Sequence, residues 1–336
     1  MTPSVAQPYR YECVDKSPLL APFCRWIVHW FVIALPMSMP PNLVTLGSSA
    51  CMWLMLAYVL GASAQGMPVF GAVCAVLMTG YVIYDHADGM QARRTKTSSP
   101  LGEFLDHYLD AFHGSITIVA IFAVAADANS AWLCPLVAAL ALGGAATMSE
   151  QRELGRLYFG FPGPLEAMLT GIAVFSVAAI PAIGEGMRGP QGHWLLHACA
   201  AVVMIAAVFA AVGCVRRVGR VPIGLAVYAL SSAMIVLSTR GAAPTAAALL
   251  VMLHSADFTG RTIESHLRAT ARPWPDLLVP IVLVAGVVVD AAPGQFIAMA
   301  GAYLVVRNLW LTGRVVRCFR QVWSWWLSAA AEEIAI

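Results

Sequence analysis

Four aspartates, Asp85, Asp88, Asp106 and Asp110, fall within one short stretch, with Gly89, Ala92, Arg93, Arg94, Lys96 and Gly102 between them. The first pair is spaced i, i+3 and the second i, i+4, so on helices each pair shares one face. Two such helices joined by a short turn would aim four carboxylates into one space. Carboxylates at membrane depth are costly unless paired, solvated or metal-bound, and four of them repel one another. One or two divalent cations are the simplest means of holding them ionised together. A set of oxygen donors favours Mg2+, Mn2+ or Ca2+ over zinc or copper. Mg2+ commonly shares its coordination with substrate phosphates, and a metal pair clamps phosphoryl oxygens during displacement. Arg93, Arg94 and Lys96 could neutralise phosphate oxygens. Gly89, Ala92 and Gly102 remove bulk where a charged ligand must approach the backbone.

The elements that position these residues must be membrane helices. The chain has 336 residues, 60% of them apolar and only 11% charged, with a mean hydropathy of +0.74. An ordinary soluble domain carries about 25% charged residues. The fold class is therefore read as all-α and polytopic. Ten spans are predicted, at about 42–62, 68–91, 101–126, 131–151, 163–183, 194–215, 222–239, 243–266, 275–291 and 294–313. The stretch WIVHWFVIAL, flanked by Arg25 and broken by Pro36, Pro40 and Pro41, reads as an interfacial amphipathic helix. Under this topology all but two of the 20 Lys and Arg residues, Arg188 and Arg240, fall on one side. That asymmetry puts both termini and the aspartates at the cytoplasmic face. The C-terminal tail mixes Arg320 with Trp323, Trp325 and Trp326, as a headgroup-level segment would. The polar first 18 residues do not read as a secretory signal. Eight singly spaced cysteines give neither a zinc motif nor a disulfide framework, and a net charge of +2 offers nothing to nucleic acid.

The complete spacing is D-x2-D-G-x2-A-R-x8-G-x3-D-x3-D, filled at every fixed position. It resembles the signature of the CDP-alcohol phosphotransferase family. The resemblance implies a divalent-metal enzyme that moves a substituted phosphoryl group from a CDP-alcohol to a hydroxyl and releases CMP. It implies that Asp85, Asp88, Asp106 and Asp110 surround two ions, Mg2+ or Mn2+, and that Asp110 is a candidate base. DGMQARRTKTSSPLGEFLDH looks like the choline/ethanolamine phosphotransferase branch, and PPNLVTLGS, with Pro41, Asn42 and Thr45, is similar to that branch's first span. Asn42 thereby gains a nucleotide-binding role, beside Gly89, Ala92, Arg93 and Gly102. DFTGRTIESHL, with His266, and GPLEAML, with Glu166, resemble the branch more loosely. Both residues lie at the cytoplasmic ends of predicted spans and are candidates for head-group binding or proton relay. Met90 stands where the branch usually has Lys, which removes a positive charge near the nucleotide.

The expected organisation is an N-terminal interfacial segment over 1–41, a six-helix catalytic core over 42–215, and four further spans with the tail over 216–336. The expected substrates are CDP-ethanolamine or CDP-choline and a diacylglycerol or related lipid; a homodimer is expected from the family alone. Two other readings stay open: a CDP-diacylglycerol-dependent transfer to a small polar alcohol, and a transporter with an acidic ion site. Glu103, one turn before Asp106, can share its face. His107 and His113 flank the aspartates, where a structural role is the commoner one. Aromatic faces suit a trimethylammonium group, and Tyr84, Phe104 and Tyr108 are available for it.

Overall fold

The computed structural model describes residues 11–319 apart from 241 and 291. Arg320 and the tail tryptophans lie outside the described residues, as does Arg10. A short strand, β1 (Cys13–Asp15), leads into an apolar helical stretch, Leu20–Ala34. Its ends are α1 (Leu20–Phe23) and α2 (His29–Ala34), with a π-helical turn, Cys24–Val28, between them. There follow α3 (Pro41–Ala64), α4 (Gly71–Thr95), α5 (Pro100–Val124) and α6 (Leu133–Leu154). Strand β2 (Leu157–Phe159) precedes α7 (Pro164–Ala178), α8 (Pro181–Met187) and α9 (Pro190–Val218). The chain continues with α10 (Ile223–Ser238), α11 (Pro244–Leu267), α12 (Leu278–Val288) and α13 (Pro293–Cys318). Proline opens α3, α5, α7, α8, α9, α11 and α13, where its missing N–H costs no helical hydrogen bond. Gly155 and Gly219, at φ 74° and 78°, close α6 and α9 in the left-handed conformation.

The described fold is thus helical, with one two-stranded parallel ribbon. Among the described residues five helices are long and apolar enough to cross a membrane: α3, α5, α6, α9 and α13. The bent pair of α7 and α8, which meet at 107°, makes a sixth if counted as one span. The remaining predicted spans also coincide with helices, but these are shorter or more polar. Helices α10 and α12 have 16 and 11 residues. Helix α4 carries Asp85, Asp88, Arg93 and Arg94, and α11 carries Asp257, Arg261 and Glu264. The stretch Leu20–Ala34 buries Val28 and Val32 against Val44 and Ala87 and exposes Trp26, Ile27, Trp30 and Ile33.

Helix α4 packs on α3 and α7, and α5 on α3, α6 and α11. Phe104, Ile116, Val119 and Phe122 of α5 are buried in the main core together with Leu133 and Val137 of α6. Helix α11 comes from the last third of the chain, yet it packs on both α5 and α6. Gly260 permits the approach: a Cβ there would sit 2.5 Å from a ring carbon of Tyr108. Ion pairs tie the polar ends together. Arg217 grips Glu150 with two bonds of 2.5 and 2.8 Å, and Glu153 accepts from Arg272 and Arg220. Asp257 is shared by Arg261 and Arg307, and Arg307 also reaches Asp276.

Candidate active site

The end of α4 and the start of α5 bring the four aspartates to one end of the bundle. Lys96, at φ 57°, stops α4 in the left-handed conformation, and its N–H and that of Thr97 close the last turn. Ser99 then caps α5, accepting from the Gly102 N–H at 3.1 Å. This tight turn sets the aspartates of α4 beside those of α5. Asp85 and Asp88 lie within electrostatic reach of Asp106 and Asp110. One oxygen each of Asp106 and Asp110 and one ring nitrogen of His107 lie within 4.8 Å of one another, the spread of a single ion's ligands.

Neighbouring side chains hold the carboxylates. Thr45 of α3 donates to Asp88 Oδ2 at 2.6 Å, and both residues are buried. Tyr81 donates to Asp110 Oδ1 at 3.1 Å, and the Nδ1 of His113 lies 3.1 Å from the same oxygen. The other nitrogen of His113 is 3.1 Å from Ser49 Oγ. The Nδ1 atoms of His86 and His107 lie 3.4 and 3.6 Å from Asp85 and Asp106. Glu103 accepts from Gln151 at 2.7 Å. Among the described residues, Asp85, Asp106 and Asp110 pair only with histidines, and none of the four aspartates pairs with Lys or Arg. That excess of negative charge on oxygen donors suits a hard divalent cation.

Asn42 is buried in the first turn of α3, and its Oδ1 lies 3.2 Å from where a Cβ on Gly102 would be. Gly102 therefore lets α3 and α5 close at this corner. Arg93 is exposed and folds back over Gly89, its guanidinium 3.4 Å from the position of a Cβ there; Ala92 beside it is half-buried. Arg94 instead binds the carbonyls of Val32 and Leu35 at 2.6 and 3.0 Å. Gln91 does the same for Pro36 and Met39. His266, in the last turn of α11, comes within electrostatic reach of Glu103 and His107. Glu166 does not join the cluster of Asp106, His107 and Asp110. Its oxygens accept from Ser17 Oγ at 2.5 Å and from the Gly163 N–H at 2.7 Å, at the cap of α7. Of the aromatics, Tyr108 stacks on Phe104 and donates to Asn308 of α13, while Tyr84 packs edge-on against Phe31. Met90 and the tryptophans Trp26 and Trp30 line a cleft of about 490 Å³ together with Arg25 and His29.

Comparison with known proteins places this architecture. The sequence profile of CDP-alcohol phosphatidyltransferases matches residues 38–212. An uncharacterized CDP-alcohol phosphatidyltransferase class-I family protein of Schizosaccharomyces pombe is 33% identical over 181 residues, covering 51% of this chain and 46% of the relative. Choline/ethanolaminephosphotransferase 1 of Arabidopsis thaliana is 38% identical over 31% of this chain and 28% of its own. Human ethanolaminephosphotransferase 1 is 34% identical over 34% of this chain and 32% of its own. The chain thus covers under half the length of the curated relatives it matches. The family profile nevertheless takes in the whole aspartate constellation and more than half of the sequence, so the chain belongs to the CDP-alcohol phosphatidyltransferase family.

Proposed function

We propose that the protein transfers phosphoethanolamine or phosphocholine from a CDP-aminoalcohol to the hydroxyl of a diradylglycerol, giving a phospholipid and CMP. The observation that carries the reading is the gathering of Asp85, Asp88, Asp106 and Asp110 on α4 and α5, with no Lys or Arg paired to them among the described residues. The relatives named for choline and ethanolamine transfer support the choice of donor.

In this reading the four aspartates hold one or two divalent ions, Mg2+ or Mn2+. Held there, such ions would supply Lewis-acid stabilisation of the charge that develops as CMP departs. Thr45 and Tyr81 fix Asp88 and Asp110 by donating to them. Arg93, exposed above Gly89, neutralises a phosphate oxygen of the donor, and Asn42, Ala92 and Gly102 shape the nucleotide's seat. The acceptor oxygen attacks phosphorus, the bond to the CMP oxygen breaks, and the acceptor's proton passes to Asp110. His266, in the last turn of α11, is a further candidate for head-group binding or proton relay. Glu166, held in the α7 cap by Ser17 and the Gly163 N–H, is the other candidate for that role. The lipid hydroxyl must lie in line with the scissile bond, so placement contributes more than basicity. The site faces the cytoplasm in this proposal, as do both termini, which the clustering of basic residues supports. The ten-span arrangement and its division at residue 215 belong to the same proposal, as does a homodimer.

The test supplies purified protein and Mg2+ with CDP-ethanolamine or CDP-choline plus diacylglycerol. A parallel arm supplies CDP-diacylglycerol with inositol, serine or glycerol phosphate. Phospholipid and CMP from the first arm support the proposal. Product only in the second replaces it with phosphatidyl transfer, and no CMP in either arm overturns it in favour of a non-enzymatic acidic site.

A further inference from the structure

The family profile begins at residue 38, yet the chain ahead of it reaches the candidate active site. Strand β1 lies parallel to β2 in the register Cys13–Leu157, Val14–Tyr158 and Asp15–Phe159. The Leu157 N–H donates to the Glu12 carbonyl at 2.9 Å, and the Lys16 N–H to Phe159 at 3.1 Å. Ser17 then binds Glu166. These bonds hang residues 12–17 on the linker between α6 and α7, and they fix where Tyr11 must lie. Its hydroxyl is 3.2 Å from Nε2 of His107, and the two rings are 5.8 Å apart at 32°. Further on, Phe23 meets His86 edge-on at 5.2 Å. The histidines that follow Asp85 and Asp106 in sequence are thus both touched by aromatic residues of this N-terminal strap.

We propose that Tyr11 is a positioning residue of the active site: it sets the ring plane and tautomer of His107, and the β1–β2 ladder is what holds it there. The inference rests on the proposed function. His107 is only 7% exposed, and its Nδ1 faces Asp106 at 3.6 Å. A proton on Nδ1 points at that carboxylate and leaves Nε2 bare to accept from the Tyr11 hydroxyl. Tyr11 itself is 40% exposed, with its hydroxyl directed inward. Burial of that hydroxyl, with Cys13 and Asp106 nearby, pushes its pKa above the ordinary tyrosine value, so it remains a donor. Loss of one hydrogen bond of this kind typically changes a rate or an equilibrium by about 2- to 10-fold.

The experiment compares full-length wild type, Tyr11→Phe and Ile27→Ala, an exposed change in the same N-terminal region. Steady-state CMP release is measured, together with the rate of diethylpyrocarbonate modification of His107 in EDTA-treated protein, read by mass spectrometry against the exposed His29. For Tyr11→Phe the expectation is kcat lower by about three- to ten-fold, both KM values within about two-fold, and His107 labelled several-fold faster. Ile27→Ala should leave kcat, both KM values and the labelling rate unchanged. A wild-type kcat in Tyr11→Phe overturns the proposal. So does a lowered kcat with His107 labelling unchanged, because the effect then does not run through that ring. Wild-type protein that releases no CMP defeats the functional reading instead, and an unchanged labelling rate there defeats this one as well.

Discussion

Replacing Thr45 with Val tests whether the carboxylate geometry is active or ornamental. The hydroxyl donates to Asp88 Oδ2 at 2.6 Å in a site where Thr45 is 4% and Asp88 6% exposed. Valine keeps the branched shape and loses only the donor. The hydroxyl's second partner, the Pro41 carbonyl, is 3.3 Å away, so little else is disturbed. A hydrogen bond to a charged group is worth about 1.5–3 kcal/mol, and its removal leaves a buried acceptor unpaired. If the bond is needed to hold Asp88 in its reacting position, kcat/KM should fall by about 10- to 150-fold. Thr45→Ser restores the donor and should recover most of that loss. The assay is CMP release across a Mg2+ titration, with thermal melting in detergent as a check on folding. Wild-type kcat/KM in the Val variant, at every Mg2+ concentration, would refute the claim that Asp88 must be oriented to function.

Asp106→Ala and Asp110→Ala should each abolish CMP release while the protein still inserts and purifies, and EDTA should silence the wild type until Mg2+ or Mn2+ is restored. Turnover in any of these conditions counts against a metal held by these carboxylates. Gly260→Ala drives a methyl to 2.5 Å from the Tyr108 ring; overpacking of this kind costs about 1–3 kcal/mol, read as a lower melting temperature. Glu150→Ala strips the bidentate partner from Arg217. Arg217 is 37% exposed and can regain water, so the expected destabilisation is about 1–3 kcal/mol, again read by melting.

The four aspartates were legible in the sequence because their grouping is local: helical spacing puts each pair on one face, and a short turn joins the pairs. What surrounds them was not legible, because it arrives from distant parts of the chain. Thr45, 43 positions before Asp88, carries no periodic mark that aims it at a carboxylate. Tyr81 could have been found: it precedes Asp85 by one helical turn and shares its face. Arg94 shows the opposite difficulty. Beside Arg93 it reads as a phosphate ligand, but in the fold its guanidinium caps the carbonyls of Val32 and Leu35. Tyr108 reads as a candidate cation-binding ring, and packing against α13 gives its hydroxyl to Asn308. Hydropathy located the helices, although fewer of them than predicted are both long and apolar enough to cross a membrane. Residues such as Asp257 and Glu264 make α11 too polar to pass for a lipid-facing span, although the bundle buries it on several sides.

The three-residue ribbon between β1 and β2 has a practical corollary for anyone handling this protein. Strand β1 begins two residues after Tyr11, so inserting or deleting a single residue between Glu12 and Lys16 would slide the ladder and displace that ring. Epitopes and reporters are therefore best kept out of residues 12–17.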